Sequence, residues 1–316
     1  MALIAAHADW SVDPRKRWAA LARREGGRWR VEAPRPVGDP RGFAQALLAE
    51  GAPAALGLDL PLGLPRAYAA GRPEADFPRF LAARAGDRRF FAVNETLGTV
   101  GPDSPFYPRR PARGMTRAAH AAALGLPGPA ALSRWCDRAT AERPAGAPLF
   151  WTLGANQSGK AAIAAWEGWL APALAAGAPL DLWPFAGPLA GLLRRGRLAL
   201  AEVYPAEALR QLGLRMPGSK RAEAARRALA EPLRACMAAL GAEPAPALRE
   251  AIAEGFGADA AGEDRLDCVL GLLALIQVLD GRRADLVPED EAVRRWEGWV
   301  LGQHALPRGE ASSTPA

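Results

Sequence analysis

Residues 54–63 read AALGLDLPLG: an apolar run from Ala54 to Leu58, then Asp59, then Pro61 and Gly63. A short apolar run closed by turn residues has the length of a buried strand, and a helix would need about twice as many residues. The same grammar occurs twice more. Ala2 to Asp9 is short and apolar and ends in an acid followed by Trp10 and Ser11, and the run Arg197 to Val203 ends near Glu202. In open α/β sheets, functional sites collect at the carboxyl ends of strands. Strands that are neighbours in the sheet would therefore gather Asp9, Asp59 and Glu202.

Between the first two of these runs lie two further strand-like stretches, Arg17 to Arg23 and Arg28 to Ala33. Glu25-Gly26-Gly27 between them carries the glycines of a hairpin turn. Asp39-Pro40 opens a helix through Glu50, with Asp39 as N-cap, Pro40 at the first helical position and Gly51 closing it. The order β-β-β-α-β, antiparallel first and then crossing to a parallel strand, predicts an α/β fold with a mixed sheet flanked by helices.

From Pro61 to about Arg195 proline and glycine are dense and periodicity is patchy, apart from helical spacing over Gln157 to Ala176. That is too long for a plain connection. Residues 66–195 are therefore expected to form an inserted subdomain between the fourth and fifth core strands, with the core at 1–65 and 196–303. The C-terminal third predicts helices over Ser219 to Gly241, disturbed at Pro232, over Asp264 to Asp280, and over Pro288 to Gly302. Residues 304–316 read as a disordered tail.

Asp264 and Asp267 lie three residues apart and share a helix face. An aspartate entering the apolar run LDCVLGLLAL is costly unless paired or bound to metal. Clustered carboxylates repel and call for a cation, and hard oxygen ligands with almost no His or Cys select Mg²⁺ or Mn²⁺ over zinc. Two such ions about 4 Å apart can activate water and stabilise a leaving oxygen in phosphodiester cleavage. The candidate ligands are Asp9, Asp59, Glu202 and Asp267, with Asp264 beside them.

These local words resemble a family catalogued as a domain of unknown function, number 429, whose members are regarded as RNase H-like nucleases related to Holliday-junction resolvases. The resemblance is carried by Asp9-Trp10-Ser11, by Gly57-Leu58-Asp59-Leu60-Pro61-Leu62-Gly63, by Glu202-Val203-Tyr204-Pro205 and by Asp264-Arg265-Leu266-Asp267. It covers about residues 1–65 and 196–280, and the words around Gly154 to Ala161 and Leu182-Trp183-Pro184-Phe185 resemble a bacterial subgroup. It implies an RNase H-like fold with a carboxylate metal site at Asp9, Asp59, Glu202 and Asp267. The long insertion departs from the compact members and could close a groove that a duplex needs.

The net charge is +6, but the only lysines are Lys16, Lys160 and Lys220. An Ala-, Gly- and Pro-rich composition accounts for the arginines as well as a polyanion-binding surface does, so charge supports a nucleic-acid partner only weakly. The Arg66 to Arg117 stretch mixes arginines with Phe90, Phe91, Phe106 and Tyr107, which suits either stacked bases or a small core. Gly154 to Ala161 nearly matches a phosphate loop, but Ala161 stands where a hydroxyl should meet the metal. Gln157, Ser158 and Lys160 could instead form a phosphate-contacting cap. His7 shares a strand face with Asp9, where a satisfied strand histidine is the ordinary reading. Cys136, Cys236 and Cys268 form no CxxC pair, no stretch reaches the length of a bilayer span, and nothing at Met1 to His7 reads as a leader. A cytoplasmic protein is expected.

The leading expectation is a metal-dependent nuclease acting on DNA or RNA. A catalytically silent nucleic-acid- or nucleotide-binding module stands beside it, and an ATP-using enzyme with a degenerate phosphate loop comes third.

Overall fold

From Leu3 to Ala8 the first strand, β1 (Leu3–Asp9), is buried at every residue, as a strand covered on both faces must be. It lies inside an eight-stranded mixed sheet flanked by helices, seen in a computed structural model that describes residues 2–111, 113–154, 158–285 and 288–307. On one side β1 pairs antiparallel with β2 (Trp18–Glu25). Gly26 and Gly27, at φ 58° and 83°, then turn the chain into β3 (Arg28–Val31), with Glu25 opposite Arg28. Two successive positive φ values belong to the tight two-residue hairpin, and glycine adopts them without strain. The two-residue β4 (Arg35–Pro36) also pairs with β2. The helix Pro40–Ala49 follows, its N-terminus capped by Asp39, which accepts from the Gly42 amide at 2.8 Å.

That helix carries the chain over to β5 (Ala54–Leu58), parallel to β1 on its other side. Beyond β5 lie β6 (Leu180–Leu182) and β7 (Leu198–Glu202), and β8 (Ala242–Pro244) pairs with β3. The sheet order is β6-β7-β5-β1-β2-β3-β8. The long helix Gly262–Leu279 packs on β1 and β2 and is buried without a break from Leu266 to Ile276. It accounts for the apolar run read from sequence, because a helix apolar all round must be buried all round. His7 fits between this helix and the sheet because both neighbours are glycines. A Cβ on Gly271 would lie 2.3 Å from the imidazole Nε2, and one on Gly57 would lie 2.9 Å from Cδ2.

The chain divides into a first unit of Met1–Leu60, Pro179–Leu286 and Val300–Gly302 and a second of Pro61–Ala178, Val287–Trp299 and Gln303–Ala316. The intervening segment therefore ends at Ala178, earlier than the expected 195. Leu180-Asp181-Leu182 is too short to read as a strand, yet it forms the sheet edge at β6. The expected helix Pro288 to Gly302 shrinks to one π turn, Val293–Glu297, and its segment belongs to the second unit. Asp290 caps this turn through the Val293 amide at 2.9 Å, and Gly298, at φ 66°, ends it. The helical run expected from Gln157 begins, among the described residues, at Ser158 and continues through Ala175 by way of a π turn at Trp166–Leu170. Residue Gln157 and the tail from 308 lie outside the described residues.

The second unit has its own aromatic core, in which Phe80, Phe90, Phe106 and Phe150 follow edge to face at 5.3, 5.8 and 5.3 Å. Phe90, Phe91, Phe106 and Tyr107 are all buried, so in this stretch the aromatics serve as core. No helix among the described residues is long and apolar enough to cross a membrane.

Candidate functional site

Asp9 ends β1, and Asp59 is the first residue past β5. Parallel register sets Ala8 beside Leu58, so the two acids follow as neighbours, and the Asp59 amide donates to the Ala8 carbonyl at 3.1 Å. Side chains alternate along a strand. Asp9 and Asp59 therefore share the face of His7 and Gly57, the face covered by the long helix. Their carboxyls hydrogen-bond to each other, which requires a proton between them. From the helix, Asp264 and the buried Asp267 add their charges. The structure thus brings Asp9, Asp59, Asp264 and Asp267 together.

Burial, then the charges of Asp59, Asp267 and Asp264, hold the Asp9 carboxyl far above the ordinary carboxylate range. Burial and the Asp267 charge raise Asp59 in the same direction. Burial also lifts Asp267, to about 6, against the pull of Lys220. Lys220 Nζ donates to Asp267 Oδ1 at 2.7 Å and Oδ2 at 2.6 Å. Burial pushes the Lys220 ammonium down, but the Asp267 charge and hydrogen bonds outweigh it, and its pKa is raised.

Glu202 stands apart. Register pairs it with Leu58, one residue out of phase with Asp59, so the pleat turns it to the other face of the sheet. The position beside Asp59 on β7 falls to Val203, whose Cγ2 lies 3.0 Å from a Cβ built on Gly57. Glu202 is fully buried, and its charge reaches Asp59 only as the smallest of the effects on that group. The sequence places it at the right strand end, and a one-residue phase difference sends it to the other face.

His7 is wholly buried, with Nε2 3.2 Å from the Val203 carbonyl oxygen, and burial lowers its pKa to about 4, so the ring is neutral. Ser158 and Lys160 occupy the first turn of the helix Ser158–Ala165, where Ser158 Oγ lies 3.5 Å from the Ala147 carbonyl. The run expected as a strand before the phosphate-loop-like words makes only an isolated bridge, Tyr107 with Trp151. Gly159 has a packing reason to be glycine, since a Cβ there would meet the Leu149 carbonyl oxygen at 2.2 Å.

Two residues at this site escape a motif reading, Lys220 and Arg226. Arg226 is 2% exposed, and its guanidinium donates to the carbonyls of Lys220, Gly255 and Gly257 at 2.6, 2.7 and 2.6 Å. Lys220 did carry a signal. In a chain with three lysines, a lysine marks a place where arginine, the default cation of this composition, does not serve. A lysine is a compact point charge, whereas a guanidinium is a planar fork.

Compared with protein-family models, with curated proteins and with solved structures, the chain shows no match.

Proposed function

We propose that the first unit is an RNase H-like domain and that the protein is a metal-dependent nuclease, hydrolysing phosphodiesters in DNA or RNA. The observation that carries this reading is the Asp9–Asp59 carboxyl pair on adjacent strand ends, faced by Asp267 from the long helix. The sheet order supports it. An antiparallel β1-β2-β3 meander continues on the other side of β1 into parallel β5 and β7, in keeping with the family resemblance read from sequence.

The donor set fits a hard divalent ion. It is all oxygen, and its members are driven toward protonation because Lys220 alone neutralises Asp267. Asp9, Asp59, Asp264 and Asp267 would hold Mg²⁺ or Mn²⁺, while Glu202, on the other face, is left out of the set. When bound, such an ion supplies the charge that activates water and steadies the leaving oxygen. The chain fixes the geometry, with Asp59 tied through its amide to β1 and Asp267 set by a helix buried on all sides.

Calorimetric titration with Mn²⁺ tests the reading. The wild type should bind, and Asp9→Asn and Asp267→Asn should each lose binding and metal-dependent cleavage of nucleic acid while remaining folded. Full cleavage by Asp9→Asn would remove the acids from the mechanism. A second reading, a catalytically silent nucleic-acid-binding module, is favoured by the Lys220–Asp267 ion pair, which satisfies one acid without any metal. Nucleic-acid binding without metal uptake would decide for it.

A further inference from the structure

Lys220 is fixed in place from its own backbone outward. Its carbonyl accepts from the buried Arg226, whose other two bonds lock the guanidinium onto the Gly255 and Gly257 carbonyls. The long helix begins at Gly262 because only glycine fits there. A Cβ at that position would lie 2.3 Å from Arg226 Nη2 and 2.6 Å from the Gly257 carbonyl oxygen. Gly255, Phe256 and Gly257 all have positive φ, at 61°, 62° and 89°, so the segment that receives Arg226 has an unusual shape and two glycines to allow it. Arg265, on the first turns of the same helix, donates to the Phe256 carbonyl at 2.5 Å and holds the segment from the other side. The ammonium at the far end of Lys220 is 21% exposed and touches both oxygens of Asp267. Anchored at its backbone and at its charge, this lysine is a permanent counter-ion of the acid cluster.

We infer that Lys220 stands in for a second cation, so that the site takes up a single divalent ion. The inference rests on the metal-site reading above and specifies its stoichiometry. Charge balance argues for it. Asp9, Asp59, Asp264 and Asp267 carry four negative charges when ionised, and Lys220 offsets one. One divalent ion then leaves a single negative charge, whereas two would make the cluster net positive. Space argues the same way, because a second ion must lean on Asp267, whose oxygens the ammonium engages at 2.6 and 2.7 Å. Two cations forced onto one carboxylate repel strongly at such distances. A lysine suits this place because its charge is compact and ion-like.

The test uses the full chain and Mn²⁺ alone, read by calorimetric stoichiometry and by electron paramagnetic resonance. The wild type should bind about one Mn²⁺ per chain and give a mononuclear six-line spectrum, whereas two-ion sites hold their metals close enough to couple. Lys220→Met should take up a second ion, with affinity for it raised at least tenfold and an exchange-coupled spectrum. Lys220→Gln is a second neutral variant should the methionine variant fail to fold. A coupled pair in the wild type, or neutral variants that stay mononuclear, would overturn the inference and leave the metal-site reading standing. No uptake by wild type or variants would instead overturn the metal-site reading, and the inference with it.

Discussion

Both units of this molecule bury charge, in opposite ways. In the second unit Arg134, with no exposed surface, meets Asp137 through two bonds of 2.8 and 3.0 Å, and Arg66 meets the buried Glu297 at 2.8 Å. There each of these carboxylates has a guanidinium. In the first unit Asp9 and Asp59 have each other, and burial with mutual repulsion drives both toward the protonated form. Paired charge is what a fold alone requires, because an unpaired buried ion costs more than folding readily supplies. Carboxylate facing carboxylate serves no fold. Such arrangements cluster where a ligand completes the charge balance.

The contrast makes measurable statements, the largest in the second unit. Arg134→Met leaves Asp137 buried with its principal cation gone and should destabilise the protein by about 3–5 kcal/mol in urea titration. A cost under about 1 kcal/mol would mean that the pair is as dispensable as a surface ion pair, and the distinction between the units would weaken.

The first unit should show itself in pH dependence. A carboxyl whose pKa is raised by folding is stable below its ordinary value. Stability then falls with rising pH, because the unfolded chain ionises first, until the folded group ionises too. For Asp267 that window closes at about 6, and for Asp59 and Asp9 it extends higher. His7 acts in reverse. With its pKa lowered from 6.5 to about 4, its neutral burial adds stability as pH rises through that interval and changes nothing above it. Between pH 6.5 and 7.5 only the acid pair remains, so in chelator the stability should fall by on the order of 1 kcal/mol per pH unit. Saturating Mn²⁺ should flatten that slope. A stability that stays level or rises in chelator over this window would contradict the raised pair.

Much of the first unit was legible because its signals are local. The Gly26-Gly27 hairpin, the Asp39-Pro40 helix start and the short apolar strands before Asp9 and Asp59 each occupy fewer than a dozen residues. Asp264 and Asp267 were legible for the same reason, as polar residues at the head of an apolar helix. What stayed hidden depends on register and on distant partners. Glu202 has the right strand and the wrong phase, which only the pairing of Leu58 with Glu202 reveals. Lys220 reaches Asp267 across 47 residues, and Arg226 reaches Gly257 across 31. Neither spacing forms a motif. Three-residue β6 gave no periodicity to read, so the expected insertion swallowed it.

The smallest effect is the most discriminating. Asn at position 9 keeps the shape of the aspartate and can still donate a hydrogen bond to Asp59, but it carries no charge. If the Asp9–Asp59 pair exists for a ligand, its removal relieves a repulsion that metal-free protein otherwise carries, and Asp9→Asn should gain about 1 kcal/mol at pH 7 in chelator. The same substitution should forfeit all further stabilisation by Mn²⁺, since mass action stabilises only a state that binds. The opposite sign, a loss resembling that expected for Arg134→Met, would make the carboxyl pair part of the framework. Gain without metal and loss with it is the signature of a site whose stability is held in reserve for its ion.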